Sequence, residues 1–399
     1  MTGRPLDGIT VLDVTHVLAG PYATFMLALQ GAKVIKVEPP DEPDCLRLQG
    51  VDAALAATGM DTHFLAAGGN KKYVTINLKS KEGLDLLKRL ASRADVFVEN
   101  YRPGAMAELG ISYHDLKAVN PQLIYCSMSA YGQDVHEDRD RAFDGVIQAA
   151  SGMMHVNAGH RRGPRKCGFA VIDMATAITA AFAIATTLYR RSRTGQGGYI
   201  DCSMLDVAMT LMAPEVSAAC HIPSMAAPPV PALDPAVGIY DTADGQIVLG
   251  AFTSRQRVRF WAEMGYPALA TLSDLDTMRR SASHMQEEVA GKLLEKPAST
   301  WERVFRNAGV PAEKVRTLTQ ALDWLELNRP GLLGRFEINP GDGSPSKGKA
   351  VLAGFRIDGE SPTISSPPAA PGMHNHEVLT ELGLSDDDIA RLAAKAVIG

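Results

Sequence analysis

The chain has 399 residues, 46% of them hydrophobic and 21% charged, with a formal net charge of −5 at pH 7. That length exceeds what one hydrophobic core usually serves, so more than one domain is expected. The charge argues against an overall attraction to nucleic acid or an anionic membrane surface, and an anionic ligand would need a local basic pocket.

The opening MTGRPLDGIT carries neither an apolar signal core nor a basic amphipathic presequence. No run of about 18 residues reads as free of charge and strong polarity, so a soluble, cytoplasmic protein with no membrane partner is expected. The five cysteines, Cys45, Cys126, Cys167, Cys202 and Cys220, lack a CxxC pair. They argue against a disulfide frame or a zinc site and are read as mostly buried thiols.

In chain order, ITVLDVT (9–15) is strand-like, AGPYATFMLALQGA helix-like with Pro21 in its first turn, and KVIKVEP a second strand. This βαβ pattern continues through YVTINL (73–78), the helical GLDLLKRLASRA, DVFVEN (95–100), a helical stretch to Asn120 and LIYCSMS (123–129). Repeated crossovers predict an α/β fold with a parallel sheet covered by helices on both faces. Residues 173–191 are apolar or small almost all round, which predicts a helix buried on most sides. GYIDCSM (198–204) reads as a strand, and LDVAMTLMAPEVSAACHI as one helix.

A Pro/Ala run at 222–235 marks a domain crossing. Beyond it, GIYDTADGQIVLGAF predicts a hairpin turning at Asp244-Gly245, because this pair tolerates the positive φ angles of a tight turn. Short amphipathic helices follow, among them SRQRVRFWAEMG and STWERVFRNAG. After about Arg329 the chain reads as loop-rich before two closing helices, HEVLTELGL and SDDDIARLAAKAV. The expected division is 1–222 plus 328–399 for a large α/β domain and 223–327 for a smaller α+β middle domain.

The first strand-turn-helix reads HVLAGP, with one glycine where G-x-G-x-x-G needs three, which argues against a nicotinamide cofactor. GQGG at 195–198 lacks the GK[ST] of a Walker loop. Lys71, Lys72, Lys79, Arg102 and Arg141 fall in short loops near predicted strand ends, where ligands of open α/β sheets bind; each alone reads more readily as a solvated surface charge. Neither a metal-binding histidine set nor a G-x-S-x-G nucleophile elbow occurs. Asp173 is the one carboxylate in GFAVIDMATAITAAFAI (168–184), where an apolar, strand-like run meets the helix. Two readings stand there: a helix N-cap, or a nucleophile whose anion the helix terminus stabilises.

Together PLDGITVLDVTHVLAGPYAT, GAKVIKVEPP, NKKYVTINLKSKEG, ADVFVENYRPGAMAELG, LIYCSMSAYGQ, FAVIDMATAITAAFAI, RRSRTGQGGYIDCSMLD and HEVLTELGL resemble the class III CoA-transferases, the formyl-CoA and carnitine CoA-transferase family of CaiB/BaiF type. The resemblance implies a Rossmann-like large domain built from both chain ends, a small middle domain and an interlocked homodimer. It also implies acyl-CoA and carboxylic acid as substrates, with no permanently bound cofactor or metal. It gives Asp173 the role of the aspartate that forms a mixed anhydride, and places Val17, Leu18, Ile76, Lys79, Asn100, Tyr101 and Arg141 along the CoA path.

Formyl-CoA transferase has glutamine where this chain has Leu18, and a basic residue where it has Glu108, an absence that Arg102 is expected to offset. Its glycine-rich active-site loop has no counterpart here. The related 2-methylacyl-CoA racemases carry Gly-His-Asp where this chain reads Ala142-Phe143-Asp144, so their base is missing. That racemase chemistry and a catalytically silent CoA-binding protein are the alternative functions. A dicarboxylic substrate, with succinyl-CoA as donor, is expected from Arg47, His16 and the Arg161-Arg162 pair.

Overall fold

The computed structural model describes residues 3–134, 142–158, 163–222, 234–267, 275–338 and 346–399. Six strands, β1 (Thr10–Asp13), β2 (Lys33–Glu38), β3 (Lys71–Thr75), β4 (Val96–Glu99), β5 (Ile124–Ser129) and β6 (Gly198–Ser203), form one sheet in the order β3-β2-β1-β4-β5-β6. Every neighbouring pair is parallel. Runs such as VLD, VIKVE and VFVE are buried on both faces, as expected of strands that carry helices above and below.

Alternation sends successive side chains to opposite layers. Val11, Val34, Val96 and Ile124 join the core beneath the helices Ala19–Leu29 and Val171–Thr194. Leu12, Ile35, Val74 and Phe97 face the other way, toward Leu86, Leu87 and Leu90 of the helix Lys81–Ala91. The chain's last helices, Asn375–Glu381 and Asp386–Ala394, close that second layer through Val378, Leu379, Ile389 and Leu392. Each fully buried aliphatic side chain contributes about 1.5–3 kcal/mol, so the two layers hold the sheet together. The strand order reverses between β1 and β4, which opens a crevice at their carboxyl ends.

The described residues divide into two compact units, Met1–Ser217 with Pro330–Gly399, and Ala218–Arg329. Within the second, β7 (Val237–Asp241) and β8 (Gln246–Gly250) pair antiparallel, and Thr242 N–H reaches Gly245 O at 2.8 Å across the predicted Asp-Gly turn. β9 (Ala312–Lys314) completes this sheet, over a core of Phe260, Trp261, Trp301 and Phe305. In the first unit β10 (Leu333–Ile338) pairs antiparallel with β11 (Ser346–Val351), a hairpin where a loop-rich segment was expected.

Other expectations need correction. The strand-like run before Asp173 is not a strand: the helix already begins at Val171. The helix expected over 205–222 is two, Met204–Leu211 and Ala213–His221, because Pro214 cannot continue the first ladder. Of the five cysteines only Cys126 and Cys202 are buried. Val171–Thr194 is buried on one side only: Ile172, Ala177, Ala180 and Ile184 face the core, whereas Ile178, Phe182 and Tyr189 are 53%, 69% and 66% exposed. An all-apolar pattern cannot tell a core face from a face that awaits a partner. By length and a mean hydropathy of 1.7 this helix also reaches the range of a membrane span, contrary to the sequence reading, yet its inner face packs on Ala19–Leu29 as a core helix does.

Candidate active site

The turn leaving β1 forms one wall of a cavity of about 550 Å³ at the switch point. Val17 sits there with φ of 64°, in the left-handed region, a costly conformation for a β-branched residue that persists only where neighbours enforce it. Asn100, just past β4, does so on both sides of His16. Its Oδ1 accepts His16 N–H at 2.8 Å and its Nδ2 donates to His16 O at 2.7 Å. Asp44 accepts Val17 N–H at 3.2 Å, and Lys36 Nζ donates to the Thr15 carbonyl. Gly20 lets the following helix start close by, since a Cβ there would lie 2.3 Å from the Thr15 Cβ.

Tyr101 meets the His16 ring edge-on, with centroids 4.9 Å apart. Burial, and then the Lys36 charge, lower the His16 pKa, so the imidazole is neutral at pH 7. Beneath the turn, Lys36 lies 3.8 Å from Asp13 and 3.7 Å from Asp44, all three buried.

The opposite wall is the start of the helix Val171–Thr194. Asp173 is its third residue, and Ala170 holds the cap position without a side-chain bond. The cap comes instead from Asp144, whose Oδ2 accepts Ile172 N–H at 2.7 Å and Asp173 N–H at 3.2 Å. The N-cap reading of Asp173 is therefore corrected. Its side chain is spared that duty and borders the cavity with Thr176, one turn on. Burial, and then the Asp144 charge, raise the Asp173 pKa to about 6.

Of the residues singled out from the sequence, the cavity brings together Val17, Leu18, Asn100, Tyr101, Arg102 and Asp173, with His16 beside them. Ile76 is not among its lining residues. Its side chain is 1% exposed within the hydrophobic core, because strand alternation continues past β3 and turns it inward. Lys79 is exposed at the surface, its N–H bonded to Asn77 Oδ1, and does not line the cavity. Arg141 and the Arg161-Arg162 pair lie outside the described residues. Arg102 donates to Glu108 at 2.5 Å, an exposed pair that an incoming phosphate could displace at little cost.

Two basic residues are not surface groups at all. Arg47 is 1% exposed and forks onto Glu38 at 2.8 and 2.7 Å, so it is not free for a substrate carboxylate. Lys71, expected in a loop, opens β3, is 3% exposed and pairs with Asp13 at 3.2 Å. The sequence reading missed Thr176, Asp144, Asp44 and Lys36. Only Thr176 left a local signal, its i+3 spacing from Asp173.

A second cavity of about 590 Å³ shares Arg102 and contains Glu99, Ser127, Tyr125 and Tyr199. Burial raises Glu99 to about 7 although Ser127 and the Tyr101 N–H donate to it. That carboxylate is therefore tied to the segment carrying Asn100 and Tyr101.

The model of CoA-transferase family III matches residues 6–375. The succinyl-CoA:glutarate CoA-transferase of Mus musculus is 31% identical over 99% of this chain and 90% of its own length. The succinyl-CoA–D-citramalate CoA-transferase of Chloroflexus aurantiacus is 33% identical over 99% and 98%. Among solved structures, a CAIB/BAIF family protein from Brucella suis superposes with a TM-score of 0.78 at 26% identity, covering 96% of this chain and all of the other. Rv3272 of Mycobacterium tuberculosis, in its orthorhombic form, gives 0.79 at 28%, covering 93% and 98%.

Proposed function

Because this chain belongs to CoA-transferase family III, we propose that it moves coenzyme A from a dicarboxylyl-CoA donor such as succinyl-CoA to a dicarboxylic acid, through a mixed anhydride on Asp173. The observation that carries the mechanism is the Asp173 carboxylate itself. It borders the switch-point cavity, caps nothing, and has no hydrogen-bond partner for its oxygens among the described residues. With its pKa at about 6, most of it is ionised at neutral pH, yet it is poorly solvated and therefore nucleophilic.

In the first step an Asp173 oxygen bonds to the thioester carbonyl carbon, the C–S bond breaks, and CoA leaves as thiolate. The thiolate then attacks the aspartyl carbonyl of the anhydride and releases the donor acid, leaving an aspartyl thioester. The acceptor carboxylate attacks that thioester and expels the thiolate again, which takes the new acyl group and restores the Asp173 carboxylate. Each intermediate conserves the activation of the thioester, so water must be kept out.

The dicarboxylic preference rests on relatives named for succinyl-CoA, glutarate and citramalate. Among the described lining residues Arg102 is the cation available to a distal carboxylate or a phosphate. Phe143, standing where the racemases carry histidine, lines the cavity and supplies no base, which favours transfer over α-proton exchange.

A homodimer completes the reading, supported by the exposed Ile178, Phe182 and Tyr189 on the helix that carries Asp173. Quenching with hydroxylamine after addition of an acyl-CoA donor should leave a hydroxamate on Asp173, located by peptide mass spectrometry. An adduct on another residue rejects the mechanism. Equal turnover of monocarboxylic and dicarboxylic acceptors rejects the substrate class.

A further inference from the structure

Thr176 follows Asp173 by one helical turn, so the two side chains share a face, and both border the same cavity. The Thr176 side chain is fully buried, and its hydroxyl has no hydrogen-bond partner among the described residues. Buried hydroxyls are nearly always satisfied, and a helical threonine has an acceptor within reach in the carbonyl three or four residues back. Two other threonines of the helix use that acceptor. Thr186 donates to Phe182 O and Ala183 O at 3.0 and 2.9 Å, and Thr194 to Arg190 O at 3.0 Å. Thr176 does not, although the same carbonyls are available to it.

We infer that Thr176 is a catalytic residue whose hydroxyl donates a hydrogen bond to the oxygen of the acyl carbonyl as Asp173 attacks it. The inference rests on the reading of Asp173 as nucleophile. As the new C–O bond forms, the carbonyl π pair moves onto that oxygen. When the C–S bond breaks, its pair leaves on the CoA sulfur and the oxygen's pair returns to the carbonyl. Thr176 keeps its proton throughout. Its hydrogen bond strengthens as charge develops on the acceptor, which is the condition for lowering the barrier. A hydroxyl already committed to a helix carbonyl would first have to break that bond; the Thr176 hydroxyl, covered in the free protein, has no such bond to break once the seated substrate displaces what covers it.

The test compares Thr176→Val, which keeps the shape and removes the hydroxyl, with Thr176→Ser, which keeps the hydroxyl. In single-turnover release of CoA from an acyl-CoA donor, Thr176→Val should be slower by about 10²-fold, the usual loss when one oxyanion donor is removed. Turnover should fall with little change in KM, Thr176→Ser should recover most of the rate, and the thermal midpoint of Thr176→Val should equal or exceed that of the parent, since no bond of the fold is lost. A Thr176→Val enzyme at full rate overturns the inference. So does a loss of rate that follows a fall in midpoint and is not restored by serine. Asp173→Asn assayed alongside separates the two claims: exchange surviving in that variant rejects Asp173 as the nucleophile, while its inactivity beside an unimpaired Thr176→Val rejects the role of Thr176 alone.

Discussion

Two aspartates at the carboxyl edge of the sheet, Asp13 fully buried and Asp173 partly so, differ above all in what surrounds them. Asp13 accepts from Thr15 N–H at 2.9 Å, from the hydroxyls of Thr15 and Thr24 at 2.6 and 2.5 Å, and from Lys71 at 3.2 Å. Burial by itself would raise its pKa, but Lys36, Lys71 and those hydroxyls prevail and hold it at about 2. Asp173 has burial without such partners among the described residues and stands at about 6. A fully paired buried carboxylate fixes the strained turn at Val17, whereas an unpaired one retains the capacity to react.

Neutralising the paired member should give the larger effect. Asp13→Asn leaves Lys36 and Lys71 buried without their shared counterion, and breaking one side of a buried network typically costs about 3–5 kcal/mol. Urea unfolding should report a loss of that order, and one below about 1 kcal/mol would mean that the cluster is not structural. Asp173→Asn should act in the opposite direction.

The sign follows from linkage. A carboxyl raised from 3.8 to about 6 binds its proton more tightly in the folded state than in the unfolded, so folding loses stability as pH rises between those values. Asparagine removes that loss: the gain is absent below about pH 4 and complete above about pH 6. The full shift corresponds to about 3 kcal/mol at 1.36 kcal/mol per unit, and solvent reduces it to about 1–2 kcal/mol for a partly exposed group. Thermal melts at pH 4 and pH 8 check this, and a destabilised Asp173→Asn at pH 8 would show that the carboxylate has a structural partner after all.

How far this contrast could be read from the sequence depends on the range of the interactions. The six sheet strands were legible because β-branched runs bounded by turn residues carry their own signal, and Asp173 stood out as a lone carboxylate in an apolar run. Its neighbours did not. The cap it was expected to provide comes from Asp144, 29 residues away, and the charge that buries Lys71 comes from Asp13, 58 residues away. The β10–β11 hairpin hides in a Gly- and Ser-rich segment where the alternation is confined to the short run RFEI (335–338). Thr176 shows in the sequence only as its i+3 spacing from Asp173; the bond it fails to make has no sequence signature.

Asp144 offers the smallest change. Asp144→Asn retains an oxygen for Ile172 N–H but removes the negative charge that is the second cause of the Asp173 shift. Burial, the larger cause, remains, so the Asp173 pKa should fall by less than about one unit. If the Asp173 carboxylate is the attacking group, the acid limb of kcat/KM rises through about pH 6 in the parent and moves to lower pH in the variant. A cost in stability of about 1 kcal/mol accompanies it, because the new amide nitrogen faces Gln148 Nε2, which now donates to Asp144 Oδ1. That cost is independent of the limb, so the two measurements separate. A limb that stays fixed while stability falls would assign the titration to another group, for which Glu99, held at about 7 and bonded to Tyr101 N–H, is the first to examine.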